Sequence, residues 1–253
     1  MSTGIRLEGA GVRFMFDSQR RPVIPGIAWL RFGCTSNWGL RGVQLEIGPG
    51  ESVGLVGRNG AGKSTLLRIM GGVYLPDEGR AVVRGRVGAL LSISAGVGRF
   101  LTGRENALLL GVLSGLSRVE AQAILPRVQL RSGLDEAFDR LVSSYSQGMR
   151  ARLGFAVIRE VRPEILLLDE VHEAFDHDFR SEVSALADEI MAAGGIVVAA
   201  GHDHAILGGI CKRAVWLEDG RVRADGDFDE DERAYRHGPA ASRAGQRLAV
   251  VHP

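Results

Sequence analysis

Short apolar runs alternate along the chain with segments that carry apolar residues at helical spacing. The runs cover residues 52–56, 165–168 and 196–200. They are rich in β-branched residues, which is typical of strands buried on both faces of a parallel sheet. Because strand and helix patterns alternate, the sequence predicts an α/β domain built on a largely parallel sheet.

The remaining pattern predicts how the chain is divided. Residues 98–144 contain no run typical of a strand, so we expect them to form an inserted, mostly helical lobe. Residues 1–97 and 145–237 make up the core in this prediction. The final residues, 238–253, have the composition of a weakly ordered tail.

Two shorter features complete the pattern. Asp219-Gly220 lies between the segments 214–217 and 221–223, which predicts a β-hairpin. Residues 17–40 contain arginines, prolines and Trp38, and we expect them to be a long connection before the next strand. That connection is a candidate surface for a partner.

Composition and charge weigh against some classes of protein. The 253 residues include 31 Lys+Arg and 30 Asp+Glu, so the net charge of +1 gives no support to nucleic-acid binding. Cys34 and Cys211 are too few for a disulfide framework and indicate a reducing compartment. Lys63 and Lys212 are the only lysines of the chain, and Lys63 lies in a glycine-rich segment.

No segment of the sequence predicts a membrane span or a targeting signal. The longest apolar stretch, 107–116, is interrupted by Gly111, Ser114 and Gly115 and is shorter than the ~18–20 residues that cross a bilayer. The first residues lack the apolar region of a signal peptide. We therefore expect a chain that is soluble by itself and reaches a membrane only through a partner.

The strongest chemical signal is a phosphate-binding loop between a predicted strand and a predicted helix. The loop reads Gly57, Arg58, Asn59, Gly60, Ala61, Gly62, Lys63, Ser64. This matches the G-x4-G-K-[ST] pattern, and the helix that follows is predicted to begin near Thr65. The glycines let backbone N–H groups converge on phosphates, Lys63 supplies a charge for the β- and γ-phosphates, and Ser64 is a candidate Mg²⁺ ligand.

A second signal is the acidic end of the apolar run at 165–168, where Asp169 and Glu170 follow directly. Carboxylates at the carboxyl end of a parallel strand point into the crevice where ligands bind. Asp169 is a candidate for coordinating Mg²⁺ through water, and Glu170 for polarising an attacking water. By itself this pattern is also typical of a charged strand end, but its position about a hundred residues after a phosphate loop favours catalysis.

A third signal, at the start of a predicted helix near Ser146, distinguishes this chain from other proteins with a phosphate loop. Tyr145 and Ser146 precede a segment with apolar positions on one helical side, and Ser146 is a good N-cap, so this helix start is a second candidate anion site. The chain here resembles the ATP-binding-cassette ATPases, whose signature reads LSGGQ. The resemblance implies ATP and Mg²⁺ as ligands and a head-to-tail homodimer. In that dimer the signature contacts the ATP bound by the other copy. The signature positions in this chain are Ser146, Gln147, Gly148 and Met149.

Three further functional positions of that family each correspond to a single residue of this chain. The resemblance implies that Asp176 is the aspartate that crosses the dimer interface. It implies that His202 is the switch histidine near the γ-phosphate. It also places Phe14 where the family has an aromatic that stacks on adenine, although an isolated Phe is more often a core residue. For the fold, it implies an antiparallel β region at the N-terminus beside the parallel sheet.

The middle segment resembles one branch of the family, the ATPases that export lipid-linked polysaccharides such as O-antigen, capsule and teichoic acid. Residues 101–106 read LTGREN, residues 115–118 read GLSR, and the signature has the YSxGM form. The resemblance implies a separate transmembrane permease as partner and a lipid-linked glycan that the permease handles. It also implies a peripheral position at the cytoplasmic face of a bacterial membrane. The chain looks like the short type without a C-terminal carbohydrate-binding domain.

Some residues depart from the family pattern and leave more than one function open. Ser92 occupies the position of the Q-loop glutamine or glutamate, where a hydroxyl is a poor Mg²⁺ or water contact, and Gln147 replaces the first signature glycine. These departures favour a nucleotide-gated regulatory subunit that hydrolyses little. Two further hypotheses stay open, namely an ATPase of a different transporter class and a soluble cassette that acts on DNA or ribosomes.

Overall fold

The predicted strands lie side by side in one sheet. The computed structural model describes residues 3–16, 35–91, 98–169, 177–201 and 204–228. In chain order the elements are β1 (Gly4–Phe16), β2 (Thr35–Ile47), β3 (Ser52–Val56), α1 (Lys63–Met70), β4 (Glu78–Arg84), β5 (Val87–Leu91), α2 (Gly103–Leu113), α3 (Arg118–Ser132), α4 (Gln147–Val161), β6 (Ile165–Asp169), α5 (His177–Ala192), β7 (Ile196–Ala200), α6 (His204–Ile210), β8 (Arg213–Glu218) and β9 (Arg221–Asp227). Short 3₁₀ helices at Asp135–Asp139 and Val142–Ser144 precede α4.

The described strands form two sheets. One has the order β5-β6-β7-β3-β8-β9 and is parallel except for β9, which is antiparallel to β8. The other is antiparallel with the order β2-β1-β4. Asp219 and Gly220 form the predicted hairpin turn between β8 and β9, with φ of 48° and 72°. The predicted α/β class, with a mostly parallel sheet and an antiparallel N-terminal region, is confirmed.

Alternate residues of the central strands contribute to different apolar clusters. In β6, Ile165 and Leu167 belong to a cluster shared with α1 and the antiparallel sheet, whereas Leu166 and Leu168 pack with α5 and α6. β3 and β7 are divided in the same way. Because both faces are covered, these strands read as continuous apolar runs instead of alternating ones.

The predicted helical lobe contains α2 and α3 and has an apolar core of its own. Ala107 of α2 and Val128 of α3 cluster there with Leu153 of α4. Phe155 and Ile158 of α4 instead pack in the cluster that covers the parallel sheet. Helix α4 is therefore shared by the lobe and the sheet, and the bounds of the two domains stay a prediction. Within the described part of the chain, no helix is long and apolar enough to cross a bilayer.

The predicted connection over 17–40 is wrong at its C-terminal end. β2 begins at Thr35, so the last residues of this range form a strand, and 17–34 lie outside the described residues. Trp38 pairs with Arg13 and Leu40 with Val12 across the ladder with β1. Residues 35–37 are polar, and Trp38 and Leu40 supply a single i, i+2 apolar step, which is too short for periodicity to detect a strand. The strand state of this segment therefore depends on its pairing with β1. The predicted tail, 238–253, also lies outside the described residues.

Candidate functional site

Residues 57–64 form a loop that leads from β3 into α1. Gly57, Gly60 and Gly62 have φ of 153°, 81° and 110°, a region that favours glycine. Gly62 is the N-cap of α1 and supplies no side chain, so no side-chain cap occupies the first N–H groups of the helix. The loop therefore presents backbone donors and the positive end of α1 to an anion.

Lys63 is the first residue of α1, two residues before the predicted start of the helix at Thr65, and it is only 6% exposed. Its Nζ donates to the carbonyl oxygens of Gly57 at 2.7 Å and Arg58 at 3.3 Å. A buried ammonium is costly unless it is hydrogen-bonded, so these carbonyls hold the side chain folded over the loop. The positive charge thus lies among the backbone donors of the loop.

Two other elements hold the loop from outside. The N–H of Gly220, in the β8–β9 turn, donates to the carbonyl of Ala61 at 3.1 Å, and the N–H of Arg41 donates to the carbonyl of Gly220 at 2.8 Å. A Cβ added at Gly62 would lie 2.9 Å from the carbonyl oxygen of Gly39, and one at Gly220 would lie 2.8 Å from the same oxygen. The loop, β2 and the hairpin turn therefore meet at three glycines.

Ser64 and Asp169 come from different elements and meet beside the loop. The Ser64 hydroxyl donates to Oδ1 of Asp169 at 3.1 Å, and Asp169 is 5% exposed at the end of β6. Asp169 pairs with Ala200 of β7, and β7 pairs with β3. Because β3, β6 and β7 are parallel neighbours, their carboxyl ends bring the two motifs to the same edge of the sheet.

Four predicted site residues lie outside the described residues: Ser92, Glu170, Asp176 and His202. Three of them follow the carboxyl ends of described strands within two residues. Ser92 comes after β5, Glu170 after β6 and His202 after β7. Their roles stay predictions that rest on the sequence.

The signature residues form the start of α4. Ser146 is the N-cap and its Oγ accepts from the N–H of Met149 at 3.2 Å, while Gln147 and Gly148 complete the first turn. Ser146 and Gln147 are exposed, and the first turn contains no acidic residue. Because the serine oxygen accepts in the cap, its O–H stays able to donate to an anion. The helix start thus has the properties of the predicted second anion site.

Phe14 lies in β1, partly buried, and packs against the cluster that contains α1. Its ring makes an edge-to-face contact with Tyr74, with centroids 5.8 Å apart and planes at 73°. A Cβ added at Gly39 would overlap the Phe14 ring. Since the carbonyl of Gly39 also approaches Gly62, Gly39 of β2 lies close to both Phe14 and the phosphate loop. Adenine stacking on Phe14 stays a prediction.

Sequence reasoning missed contacts that support the two candidate anion sites. The Asp219-Gly220 turn is visible in the sequence, but its contact with the loop is not, because nothing in a local pattern reports a long-range hydrogen bond. No sequence pattern indicated that Gly39 approaches the phosphate loop. The structure also adds the contact of Gly103 with Tyr145, the residue that precedes Ser146, because the sequence motifs that contain these residues do not show that they touch.

A strand, a glycine loop with a buried lysine, a helix and a strand-end carboxylate together define a phosphate-loop nucleotide-binding protein. Residues 40–173 match the family model described as ABC transporter. The chain therefore belongs to the ABC transporter family and contains the ATP-binding cassette of that family.

Similar proteins include ATP-binding proteins that are named for O-antigen export or teichoic acids export. An O-antigen export system ATP-binding protein of Klebsiella pneumoniae is 37% identical over 198 residues, which are 78% of this chain and 80% of that protein. One of the same description from Myxococcus xanthus is 37% identical over 85% of this chain, and the match spans 48% of that protein's length. A teichoic acids export ATP-binding protein of Listeria innocua is 34% identical over 79% of this chain and 59% of its own.

Solved structures share the fold. A dimeric ATP-binding cassette in a post-hydrolysis state with ADP and Pi superposes with a TM-score of 0.69 at 21% identity, covering 88% of this chain and 98% of that one. An ATP-binding subunit of an ABC transporter gives the same TM-score at 22% identity over 92% of this chain and 94% of that one. At this level of identity the likeness concerns the fold alone.

Proposed function

We propose that the chain is the ATPase subunit of a bacterial exporter that moves a lipid-linked glycan, such as O-antigen, capsule, teichoic acid or a cell-wall glycan, across the cytoplasmic membrane. The ATPase activity in this proposal is supported mainly by one observation. The phosphate loop contains a buried lysine, and it lies beside the contact of 3.1 Å between Ser64 and Asp169. The export part is supported by relatives named for O-antigen and teichoic acid export.

In this proposal the nucleotide is bound by Phe14 at the adenine and by residues 57–65 at the phosphates. Backbone N–H groups of the loop and the N-terminus of α1 bind phosphate oxygens. The Nζ of Lys63 exchanges its contacts with the Gly57 and Arg58 carbonyls for the β- and γ-phosphates. Because the same carbonyls keep the ammonium in place beforehand, little side-chain entropy is lost on binding.

The Ser64 hydroxyl and the Asp169 carboxylate fit a Mg²⁺ ion, because both are oxygen donors and they already lie together at the loop. Bound Mg²⁺ would neutralise phosphate charge during transfer. Ser92 is the position from which a third contact would come in this family. Glu170 follows Asp169 and acts as general base toward water, while His202 holds the γ-phosphate.

The second anion site belongs, in this proposal, to the nucleotide of the other copy. Ser146 to Met149 bind the γ-phosphate held by the partner's loop, and Asp176 crosses the interface. Two phosphate loops and two signatures then enclose two nucleotides. ATP favours this closed homodimer because it contacts both copies only in that state. Hydrolysis removes the bridging phosphate and allows the dimer to open.

The helical lobe transmits this motion to a separate transmembrane permease, through which the chain is held at the cytoplasmic face of the membrane. The solvent-facing side of α2 supports a contact of this kind. Leu109, Val112 and Leu113 are 37%, 41% and 68% exposed at helical i, i+3, i+4 spacing, and Val119 of α3 is 75% exposed. Exposed apolar side chains grouped in this way are typical of a protein contact.

A Glu170→Gln variant tests the catalytic cycle. Without the base, turnover should be abolished, while ATP still binds and holds the closed dimer. Phosphate release measures the first effect and sedimentation with ATP the second. Release at the wild-type rate would refute Glu170 as the base.

The same variant tests export in the host bacterium. Deletion of the gene should leave lipid-linked glycan at the inner face of the membrane, where it stays protected from a periplasmic probe enzyme. The wild-type gene should restore its export and the Glu170→Gln gene should not. Unchanged glycan export in the deletion strain would contradict the proposed cargo while leaving the ATPase assignment intact.

A further inference from the structure

The signature is anchored to the helical lobe by the residue that precedes Ser146. Tyr145 is 4% exposed, and its hydroxyl donates to the carbonyl of Ala137 at 2.6 Å. The hydroxyl occupies the space that a side chain at Gly103 would need, since a Cβ there would overlap the Tyr145 oxygen and lie 2.8 Å from the carbonyl of Phe138. Position 103 therefore needs a glycine as long as position 145 is a tyrosine, because the tyrosine hydroxyl fills the space of the missing side chain.

Backbone hydrogen bonds extend this contact on both sides. The N–H of Val142 donates to the carbonyl of Leu101 at 2.9 Å, and the N–H of Gly103 donates to the carbonyl of Arg140 at 3.2 Å. Next to them the guanidinium of Arg104 binds both carboxylate oxygens of Asp139, at 2.6 and 3.1 Å. The segment that enters α2 and the segment that leads to the signature are thus held side by side as one unit.

The tyrosine hydroxyl is a permanent donor in this unit. Burial raises the pKa of Tyr145 above its ordinary value of 10, and the negative charge of Asp139 raises it further, against a smaller opposing effect from the backbone of Gly103. The phenol therefore stays protonated at neutral pH and keeps its bond to Ala137. The backbone of Tyr145 continues directly into the N-cap of α4.

We propose that Tyr145 is a positioning residue for the signature, whose buried hydroxyl, seated against Gly103, fixes where Ser146 meets the nucleotide of the partner copy. The inference rests on the proposed function, because it needs a nucleotide that is shared between two copies. Tyr145 acts through Ser146 and touches no phosphate itself. Its loss should weaken closure of the dimer and leave binding of nucleotide to a single copy unchanged.

Two variants in a Glu170→Gln background test the contact from opposite sides. Tyr145→Phe removes the hydroxyl and leaves the Ala137 carbonyl bonded to the N–H of Arg140 at 2.9 Å but no longer to the signature segment. Gly103→Ala pushes a methyl group against that hydroxyl. In both, the ATP concentration for half-maximal dimer formation should rise about fivefold to tenfold, as expected for loss of one buried hydrogen bond. The affinity of the monomer for MgADP, to which Tyr145 and Gly103 contribute no contact in the proposed site, should change less than about twofold.

Ser132→Ala is the matched control. Ser132 is 2% exposed, and its hydroxyl donates to the Gln129 carbonyl at 2.9 Å within α3 of the same lobe. This variant should lower the melting temperature much as Tyr145→Phe does and leave ATP-driven dimerisation unchanged.

Three results would overturn the inference. Tyr145→Phe and Gly103→Ala dimerising at the parent's ATP concentration would show that the contact does not position the signature. An equal shift in Ser132→Ala would show that only lobe stability matters. If the Glu170→Gln parent itself stays monomeric in ATP, the proposed shared nucleotide is wrong, and the inference fails with it.

Discussion

At the scale of single residues, Lys63 shows how closely the site depends on side-chain shape. The chain uses arginine at 29 of its 31 basic positions, yet the loop contains a lysine. The buried ammonium fits between the carbonyls of Gly57 and Arg58 as a compact charge, whereas a guanidinium is planar and wider. The loop thus selects a residue that the rest of the chain avoids.

The prediction at this scale is that Lys63→Arg, which keeps the charge, loses ATP binding. The wider head group cannot occupy the space over the loop without displacing Gly57 or Arg58, so we expect at least about a tenfold loss of affinity, or ~1.4 kcal/mol. Equilibrium titration with ATP measures the effect. Lys212→Arg, at the other lysine, which is exposed, is the control and should bind as the wild type does. Equal affinity of all three proteins would show that charge alone matters.

At the scale of elements, the packing of α3 on α4 needs a physical explanation because α3 contains Pro126, which costs a helix stability. Glu160 of α4, with a side chain 10% exposed, accepts from Arg127 at 2.6 Å and from Arg131 at 3.2 Å. Both arginines follow the proline, so they tie the weakened half of α3 to α4. Burial by itself raises the pKa of Glu160, but the hydrogen bonds and charges of the two arginines outweigh it and the pKa is lowered.

The prediction at this scale concerns Glu160→Gln. Because the folded-state pKa is lowered, the charge of Glu160 stabilises the fold above its unfolded pKa, about 4.3, and this contribution is lost as pH falls through the folded value. We expect the variant to be ~1–2 kcal/mol less stable at pH 7 and equal to wild type in acid.

Urea unfolding at both pH values measures this effect. Glu136→Gln is the control, since Glu136 is 92% exposed in its pair with Arg140 and should change stability little. A stability difference between Glu160→Gln and wild type that persists unchanged in acid would contradict the ionic explanation.

At the scale of the whole molecule, the sequence predicts the elements well and their long-range contacts poorly. Residues 52–56 and 196–200 match β3 and β7, because strands buried on both faces leave an unbroken apolar run. The phosphate loop is likewise local, since its glycines are required by the backbone of one turn. β2 was missed at its start because only pairing with β1 makes it a strand.

In the candidate site, too, local patterns are predictable from the sequence and long-range contacts are not. Lys63, Ser64 and Asp169 are predicted by local motifs. In the structure the Nζ of Lys63 donates to the Gly57 carbonyl, and the neighbouring Ser64 contacts Asp169. The carbonyl of Gly39, the Gly220 turn and the Tyr145–Gly103 contact join segments far apart in sequence, and no local pattern encodes them. Local motifs therefore point to the candidate site residues, whereas tertiary packing determines how these residues are held.

The central claim is that one copy's phosphate loop and the other copy's signature enclose the same nucleotide, and cross-linking between two differently tagged chains tests it most directly. One chain carries Asn59→Cys and the other Gln147→Cys, both exposed positions, in a Cys34→Ser and Glu170→Gln background. In the presence of ATP, a short bismaleimide should link the two introduced cysteines and give a product that carries both tags. The product should be absent without nucleotide, and also when the Asn59→Cys chain carries Lys63→Ala. A dimer that forms in ATP without this cross-link, or a cross-link of equal yield without nucleotide, would contradict the account.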